Sequence, residues 1–311
     1  MGGDMRNEHG DGAPGESLTR RRFLKAGLGT VAMAAASPLL TACGGSSGGG
    51  SGGGGSGGGT LATLRANGAR IGIAEGPPLS ILKDGKAAGV YPEIAEMVLQ
   101  KLGVTKFIPV LSEFSGVIPG VQAGRADLGC PGLYITPERC QAVLFTNPEV
   151  SFFEAMAVRK GNPLKIRTYK DVKNSGARLG VVNGSFEVKL ATKEGVSASN
   201  MQDFPDMPSM LDAIIAGRID AGGYDNVTIG YFLTLDQYKS LDETTPYLPA
   251  GKNSAGIGLK KDATDLQAAF NKEQTKLYEQ NAFASIYTKW GVPQQSVNLA
   301  KSQTWQEFCK A

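Results

Sequence analysis

The side chains best suited to chemistry are an arginine, a serine turn and two acids. Arg139 follows Thr136-Pro137-Glu138, the pattern of a helix start with Thr as cap and Pro in the first turn. From there an arginine can hold a carboxylate through two parallel hydrogen bonds, or pair with a neighbouring acid at a surface. Ser185 follows Asn183-Gly184 at the end of an apolar strand and opens a helix. The free N–H groups and the helix dipole of such a turn attract anions, and the serine equally suits an ordinary cap. Asp225 follows the strand Asp220–Tyr224 and stands where it can cap a helix that begins at Asn226. Glu75, just past the strand Arg70–Ala74, is either a partner for a cation or a solvated loop acid.

Other chemistries are thin. The single histidine, His9, lies in a polar N-terminal stretch, which argues against His-triad hydrolysis and His-ligated zinc. Cysteines stand at 43, 130, 140 and 309 with no C-x-x-C pair, so a zinc ribbon or thioredoxin motif is not expected. The 29 acidic and 32 basic residues give a net charge of +3, too balanced for a nucleic-acid coat. At 311 residues, with 41% hydrophobic and 20% charged, the chain has room for two packed lobes.

The first part of the chain reads as an address and a tether. Arg20-Arg21-Arg22-Phe23-Leu24-Lys25 precedes the uncharged run Ala26–Leu40, too short to span a bilayer core comfortably and typical of an export signal. The paired arginines resemble a twin-arginine signal, and Leu40-Thr41-Ala42-Cys43 resembles a lipobox, which implies acylation of Cys43. Gly44–Gly59 contains only Gly and Ser and reads as a flexible coil. The expected layout is a signal over 1–43, a tether and lead-in over 44–67, one lobe from 68–150 plus 256–311, and another over 157–250. The body is expected to be soluble, outside the cytoplasm and monomeric.

Within the body, short apolar strands alternate with amphipathic helices, which predicts parallel-rich sheets flanked by helices. Expected strands are Arg70–Ala74, Phe107–Leu111, Ala126–Gly129, Arg178–Val182, Met201–Phe204 and Asp220–Tyr224. Expected helices are Pro92–Leu102, Gly116–Ala123, Phe186–Lys193, Pro208–Ala216 and, at the end, Ala263–Asn281 and Ala282–Trp290. Ala123-Gly124-Arg125-Ala126-Asp127 is echoed by Ala216-Gly217-Arg218-Ile219-Asp220, which is either a repeated unit or a common helix-to-strand turn. Two further strands, Phe152–Lys160 and Ala255–Lys260, predict a hinge crossed twice.

Five words in this order carry a resemblance: Gly89-Val-Tyr-Pro-Glu-Ile-Ala95, Phe114-Ser-Gly-Val-Ile-Pro-Gly120, Gly124-Arg-Ala-Asp127, Ile135-Thr-Pro-Glu-Arg139 and Phe145-Thr-Asn-Pro148. The chain resembles bacterial extracytoplasmic solute-binding proteins of family 3, the polar amino-acid class, over about residues 68–292. Glu75, Phe114 and Ile135–Cys140 look most like the ectoine/hydroxyectoine-binding branch. The resemblance implies an α/β, type II two-lobe fold that closes on a small zwitterion and delivers it to the membrane permease of an ABC importer. It further implies that Arg139 clamps a carboxylate, that the turn Asn183-Gly184-Ser185 meets it from the second lobe, and that Asp225 or Glu75 balances a cation. Phe114, Gly132 and Tyr134 would line the pocket. Tyr134 departs from amino-acid binders, which often carry a small hydroxyl residue there, and Pro78-Leu79 replaces the usual aromatic lid.

No metal, cofactor or nucleic-acid partner is expected, and membrane attachment is expected through lipid on Cys43 alone. The rival expectations are an enzyme of the cyclohexadienyl or arogenate dehydratase kind on the same fold, and a ligand sensor. Of Cys130, Cys140 and Cys309 at most one bridge forms within a monomer, and an oxidising compartment favours Cys140 with Cys309.

Overall fold

A computed structural model describes residues 60–248 and 253–310. The export signal, Cys43 and the Gly/Ser tether lie outside the described residues. Helix α1 (Thr60–Asn67) begins before the boundary expected at residue 68. It is docked: the N–H groups of Thr60 and Leu61 donate to the Asp265 carboxylate at 3.2 and 3.0 Å, and Leu64 is buried.

The chain then runs β1 (Ala69–Ile73), β2 (Ile81–Lys83), β3 (Lys86–Ala88), α2 (Val90–Lys101), β4 (Phe107–Leu111), α3 (Val117–Gln122), β5 (Leu128–Tyr134), α4 (Pro137–Ala142), β6 (Leu144–Phe145) and β7 (Val150–Ser151). A second stretch holds β8 (Glu154–Arg159), α5 (Tyr169–Ser175), β9 (Leu179–Val182), α6 (Phe186–Lys193), β10 (Met201–Phe204), α7 (Met207–Ile215), β11 (Ala221–Asp225), α8 (Asn226–Leu233) and β12 (Leu241–Glu243). The described chain closes with β13 (Ser254–Leu259), α9 (Thr264–Glu279), α10 (Ala284–Lys289), α11 (Gln294–Lys301) and α12 (Gln306–Cys309).

Two larger sheets result. The first has the order β4-β1-β5-β13-β6, with β7 also pairing β13, and the second has the order β10-β9-β11-β8-β12. In each, three strands are parallel and the strand that arrives from the other sheet's territory is antiparallel: β13 against β5, and β8 against β11. The sheets are therefore mixed, more so than strand–helix alternation alone suggests. A strand that crosses between sheets enters its new neighbours from the opposite end, and only the βα units force parallel pairing.

The continuous strand expected over Phe152–Lys160 is broken. Val150–Ser151 pairs with β13 in the first sheet, and Glu154–Arg159 pairs with β11 and β12 in the second. Phe152 and Phe153 carry the chain across, with Asn253 beside them on the return: the Phe152 N–H donates to the Asn253 carbonyl at 2.7 Å.

The repeated five-residue unit proves structural. Asp127 accepts from the Arg70 backbone N–H (2.8 Å) and guanidinium (2.6 and 3.0 Å). Asp220 does the same for the N–H of Arg178 (2.9 Å) and its guanidinium (2.8 and 3.0 Å). Gly124 and Gly217 take φ of 68° and 69°, the left-handed helix stop. Each sheet thus locks its β–α–β return with one Arg–Asp fork.

Helix α2 starts at Val90, earlier than Pro92, because Gly89 (φ 114°) admits a backbone approach that no side chain tolerates; a Cβ there would lie 2.6 Å from the Leu79 carbonyl oxygen. Ile94, Val98 and Leu99 of α2 share one core with Ile71 and Ile73 of β1 and Leu266, Phe270 and Leu277 of α9. On the opposite face of the first sheet, Val117, Val121, Phe145 and Phe308 form another. The second sheet is likewise covered on both faces. Phe270 is fully buried in the first of these cores. Its replacement by Ala is expected to cost about 3–5 kcal/mol, measured as a lower urea midpoint with an unchanged slope.

Cys140 and Cys309 form a disulfide with Cα atoms 5.6 Å apart, and Cys130 is a buried free thiol. Among the described residues no helix is long and apolar enough to cross a membrane.

Candidate functional site

The ends of β1, β4 and β5 in one sheet and of β9, β10 and β11 in the other face a common crevice, the usual ligand position in open α/β sheets. A cavity of about 370 Å³ opens there. From the first sheet Glu75, Leu79, Leu111, Phe114 and Pro131 line it, and from the second Val182, Met207, Tyr224 and Thr228. Ser112, Glu113 and Asp206 also line it, so the apolar walls are interrupted by polar and acidic groups that can fix an orientation.

Arg139 sits beside this cavity on α4. Thr136 caps the helix, its hydroxyl accepting from the Arg139 N–H at 3.2 Å, with Pro137 in the first turn. The guanidinium donates from Nη1 to the Tyr134 carbonyl (3.0 Å) and from Nη2 to the Gly184 carbonyl (3.0 Å). It also lies over the Phe114 ring, 5.7 Å from the centroid. Arg139 therefore spans the crevice, from its own sheet to the turn before α6. Glu138 and Lys189 pair across the same gap, both largely exposed. The residue is half-buried, and its contact with Gly184 lies towards the open side of the crevice. Burial lowers its pKa, and Glu187 chiefly opposes the shift.

The turn at Ser185 holds a different anion from the one its sequence invites. Ser185 takes the cap position of α6 without accepting a helix N–H. Glu187, in the first turn and 2% exposed, is held by its own backbone N–H, while the neighbouring Ser185 hydroxyl is buried with no hydrogen-bond partner among the described residues. Burial still pushes its carboxyl up to about 7, with Asp225 adding to the shift and Arg139 opposing it. Asn183 is exposed, and its N–H donates to the Phe204 carbonyl.

Asp225 is the cap of α8. Its Oδ1 accepts from the Thr228 N–H and its Oδ2 from the Thr228 hydroxyl, both at 2.8 Å. Burial raises it to about 6 against those two bonds. It stands between two lining residues, Tyr224 and Thr228, without lining the cavity itself. Glu75 does line it, exposed, with Oε1 accepting from the Leu82 N–H at 3.1 Å.

Tyr134 is buried, packed edge-on against Phe186 (5.0 Å) and tilted against Phe152 (5.3 Å). Its hydroxyl donates to Glu154 Oε1 at 3.3 Å. Gly132 (φ 83°) answers to packing, since a Cβ would meet Leu79 at 3.0 Å and Tyr91 at 3.1 Å. The structure thus places Glu75 and Phe114 on the cavity. It gathers Arg139, Tyr134, the Ser185 turn and Asp225 into an adjoining polar cluster, and leaves Asn183 and Gly132 with backbone and packing roles.

Two members of that cluster are absent from the sequence reading. Glu154 is fully buried at the crossing between the sheets and accepts from Tyr134, Tyr169 and Asn253 at 3.2–3.3 Å. Burial first, then Glu187 and Asp225, push its carboxyl well above the usual range. A lone acid inside the apolar run Phe152–Val158 is the signal that marks it. Glu187 has a fainter one, an acid two residues after a serine turn. Among the described residues no group of three His, Cys, Asp or Glu side chains is arranged to hold a metal ion.

Two mixed α/β sheets joined by two crossing segments, with a crevice between their strand ends, define a type II two-lobe solute-binding protein. The pattern of the family described as bacterial extracellular solute-binding proteins, family 3, matches residues 69–293, and the chain belongs to that family. A relative from Sinorhizobium fredii, the probable amino-acid ABC transporter periplasmic-binding protein y4tE, is 29% identical over 80% of this chain and 86% of its own. The L-cystine-binding protein TcyJ of Escherichia coli is 26% identical over 69% and 78%. Among solved structures, EhuB in complex with hydroxyectoine has a TM-score of 0.76 at 35% identity, covering 81% of this chain and 98% of that one. An ancestral arginine-binding protein bound to arginine has a TM-score of 0.65 at 27% identity, over 71% and 97%. These relatives are named for what they bind, not for a reaction. The chain is an extracytoplasmic, non-enzymatic solute-binding protein of the amino-acid ABC-transporter type.

Proposed function

We propose that this protein captures a small zwitterion between its two lobes, an ectoine-like compatible solute or a polar amino acid, and hands it to an ABC import permease. In this reading the lobes are 68–150 with 256–311, and 157–250. The chain leaves the cytoplasm by the twin-arginine route and is held at the membrane by lipid on Cys43. The observation that carries the proposal is Arg139, whose guanidinium bridges to the Gly184 carbonyl on the far side of the crevice. A ligand carboxylate entering there competes with that carbonyl and gives the arginine a charged partner, a stronger bond than a neutral one. The surrounding acids, Glu187 and Asp225 above all, outnumber this cation and suit the positive end of a zwitterion. Glu75 is the alternative counter-charge, from the cavity wall. Phe114 and Tyr134 supply the apolar and aromatic faces. The 35% identity to EhuB, bound to hydroxyectoine, favours the ectoine-like class.

A thermal-shift screen over amino acids, ectoines and betaines tests this directly. A solute at 100 times its dissociation constant stabilises the folded state by about 2.7 kcal/mol. If no zwitterion raises the melting temperature, the reading fails. Closure is open to a separate test at Gly184, which has φ 75° and whose Cβ would lie 2.9 Å from Ser115 Cβ. Gly184→Ala is expected to weaken the zwitterion by about tenfold, because a left-handed backbone and a contact between the lobes are both disturbed. Calorimetry measures it, and an unaltered affinity would mean that the lobes need not meet at this point.

A further inference from the structure

The C-terminal segment past Pro293 lies beyond the residues that the family pattern matches, yet it is tied to both parts of the binding machinery. Gln303, 4% exposed, packs against the paired ends of β7 and β13, where the two crossing segments begin and end. Its Oε1 lies 2.6 Å from the Ser254 hydroxyl and 3.2 Å from that of Ser151, and the two hydroxyls are 2.6 Å apart, so their two protons serve a chain in which Ser151 donates to Ser254 and Ser254 donates to Gln303. Ser151 and Ser254 are register partners, the last residue of β7 and the first of β13. They are the final first-sheet positions before the chain crosses at Phe152–Phe153 and returns at Asn253.

Six residues on, the same segment is fixed to the helix that carries Arg139. Cys309 is bonded to Cys140, the immediate neighbour of Arg139. Phe308 packs with Val117, Val121 and Phe145, and the Trp305 N–H donates to Asn147 Oδ1 at 3.4 Å. Helix α4 is short, and its capping bond is Thr136 to the Arg139 N–H. Much of its orientation is therefore set by the covalent tie and by the Lys261 ammonium, which donates to the Cys140 carbonyl at 2.8 Å.

We infer that residues 303–309 form a strap that positions Arg139 and restrains the hinge, Gln303 clamping the paired crossing strands and the Cys140–Cys309 disulfide holding α4. The inference rests on the reading of Arg139 as the carboxylate clamp. Gln303 and Cys309 are positioning residues that touch no ligand. Cutting the tie leaves α4 free to rotate, so Arg139 is presented to the crevice only part of the time. Removing the acceptor at Gln303 leaves the chain of Ser151 and Ser254 hydroxyls without its final acceptor, and the hinge samples wider openings.

The test uses the full chain, oxidised, with hydroxyectoine as the probe and the best stabiliser of the screen as a second. Cys309→Ser, and the wild type reduced with dithiothreitol, should each release the probe about tenfold faster than the oxidised wild type. Gln303→Met should open the lobes. Spin labels on non-cysteine handles at Lys106 and Ser199 report the lobe distance without any ligand, and Gln303→Met should broaden that distribution. A double-mutant cycle with Arg139→Lys separates positioning from mere folding, because positioning makes the two losses less than additive. Additive losses, or affinity within about twofold of wild type in Cys309→Ser with an unchanged lobe distance in Gln303→Met, would overturn the strap. If Arg139→Ala binds normally while the strap variants still open the lobes, the carboxylate reading fails and the hinge role stands.

Discussion

Replacing Arg139 with alanine is expected to weaken zwitterion binding roughly thirtyfold to several thousandfold, about 2–5 kcal/mol. The size follows from what the guanidinium does. It is half-buried, it faces the Phe114 ring, and it reaches across the crevice to the Gly184 carbonyl. A charge-assisted bond in such surroundings is worth more than in water, and its loss leaves the ligand carboxylate buried without a partner. Arg139→Lys should recover only part of the affinity, since an ammonium cannot present the planar fork. Unchanged affinity in Arg139→Ala would remove the arginine from the site whatever the solute.

Comparison with the acids sorts the ligand class. For an α-amino acid, loss of charge at Asp225 should be nearly as damaging as loss of the arginine. For an ectoine-like solute, Glu75→Ala and Tyr134→Ala should be the more damaging. Asp225→Asn is the better variant for this purpose than Asp225→Ala. Asparagine keeps an oxygen for the Thr228 N–H, so helix α8 retains a cap that alanine would remove at a cost of about 0.5–2 kcal/mol. Calorimetry across these variants separates the two patterns.

The second large effect is on pH. In the folded chain Asp225 titrates near 6 and Glu187 near 7, above their ordinary 3.8 and 4.5, because burial disfavours their charged forms. The folded protein thus retains protons that the unfolded chain has already lost. Their contribution to stability is fully present below about pH 4, declines as pH rises through 4–7, and is gone above the folded values. The expected outcome is a ligand-free protein less stable at pH 8 than at pH 5, by about 1.5 kcal/mol for Asp225 acting alone and about 2.5 kcal/mol for Glu187 acting alone. Asp220 and Asp265 shift the other way, and their stabilising contribution is lost only as pH falls below the ordinary carboxylate range. Urea midpoints at pH 5 and 8 therefore read the raised acids.

Binding carries the opposite sign. A cation placed beside Glu187 and Asp225 favours their ionised forms, so capture releases protons and affinity rises from pH 5 to 8. Calorimetry in two buffers of different ionisation enthalpy counts the protons, and Glu187→Gln should reduce the count. Affinity that falls over that range would place the cation elsewhere.

How much of this was legible in the sequence differs from element to element. The β–α order, the cap Thr136 and the glycine stops at 124 and 217 are local matters of periodicity, capping and φ, and the chain states them in runs of a few residues. The five family words gave the two-lobe class for a similar reason, since each encodes a turn or a helix start of fixed shape. Helix α1 has a weak pattern and α12 is a single turn, and partners far along the chain hold them, Asp265 for α1 and Cys140 for α12; α11 is amphipathic but only eight residues long.

The site divides in the same way. Arg139, Phe114, Glu75 and Asp225 are marked by their neighbours in sequence, so their candidacy needs no coordinates. Which of them face one cavity, and which spend their bonds on the protein, is decided by distance across the hinge. Asp225 commits both oxygens to Thr228, and Arg139 meets Gly184, forty-five residues away. Glu154 shows the limit most plainly. In sequence it is one acid in an apolar strand; folded, it gathers Tyr134, Tyr169 and Asn253 at the point where both crossings meet. Burial, which sets the charge state of that acid and of Glu187, is a property of everything packed around a group. Only the tertiary structure brings those surroundings together.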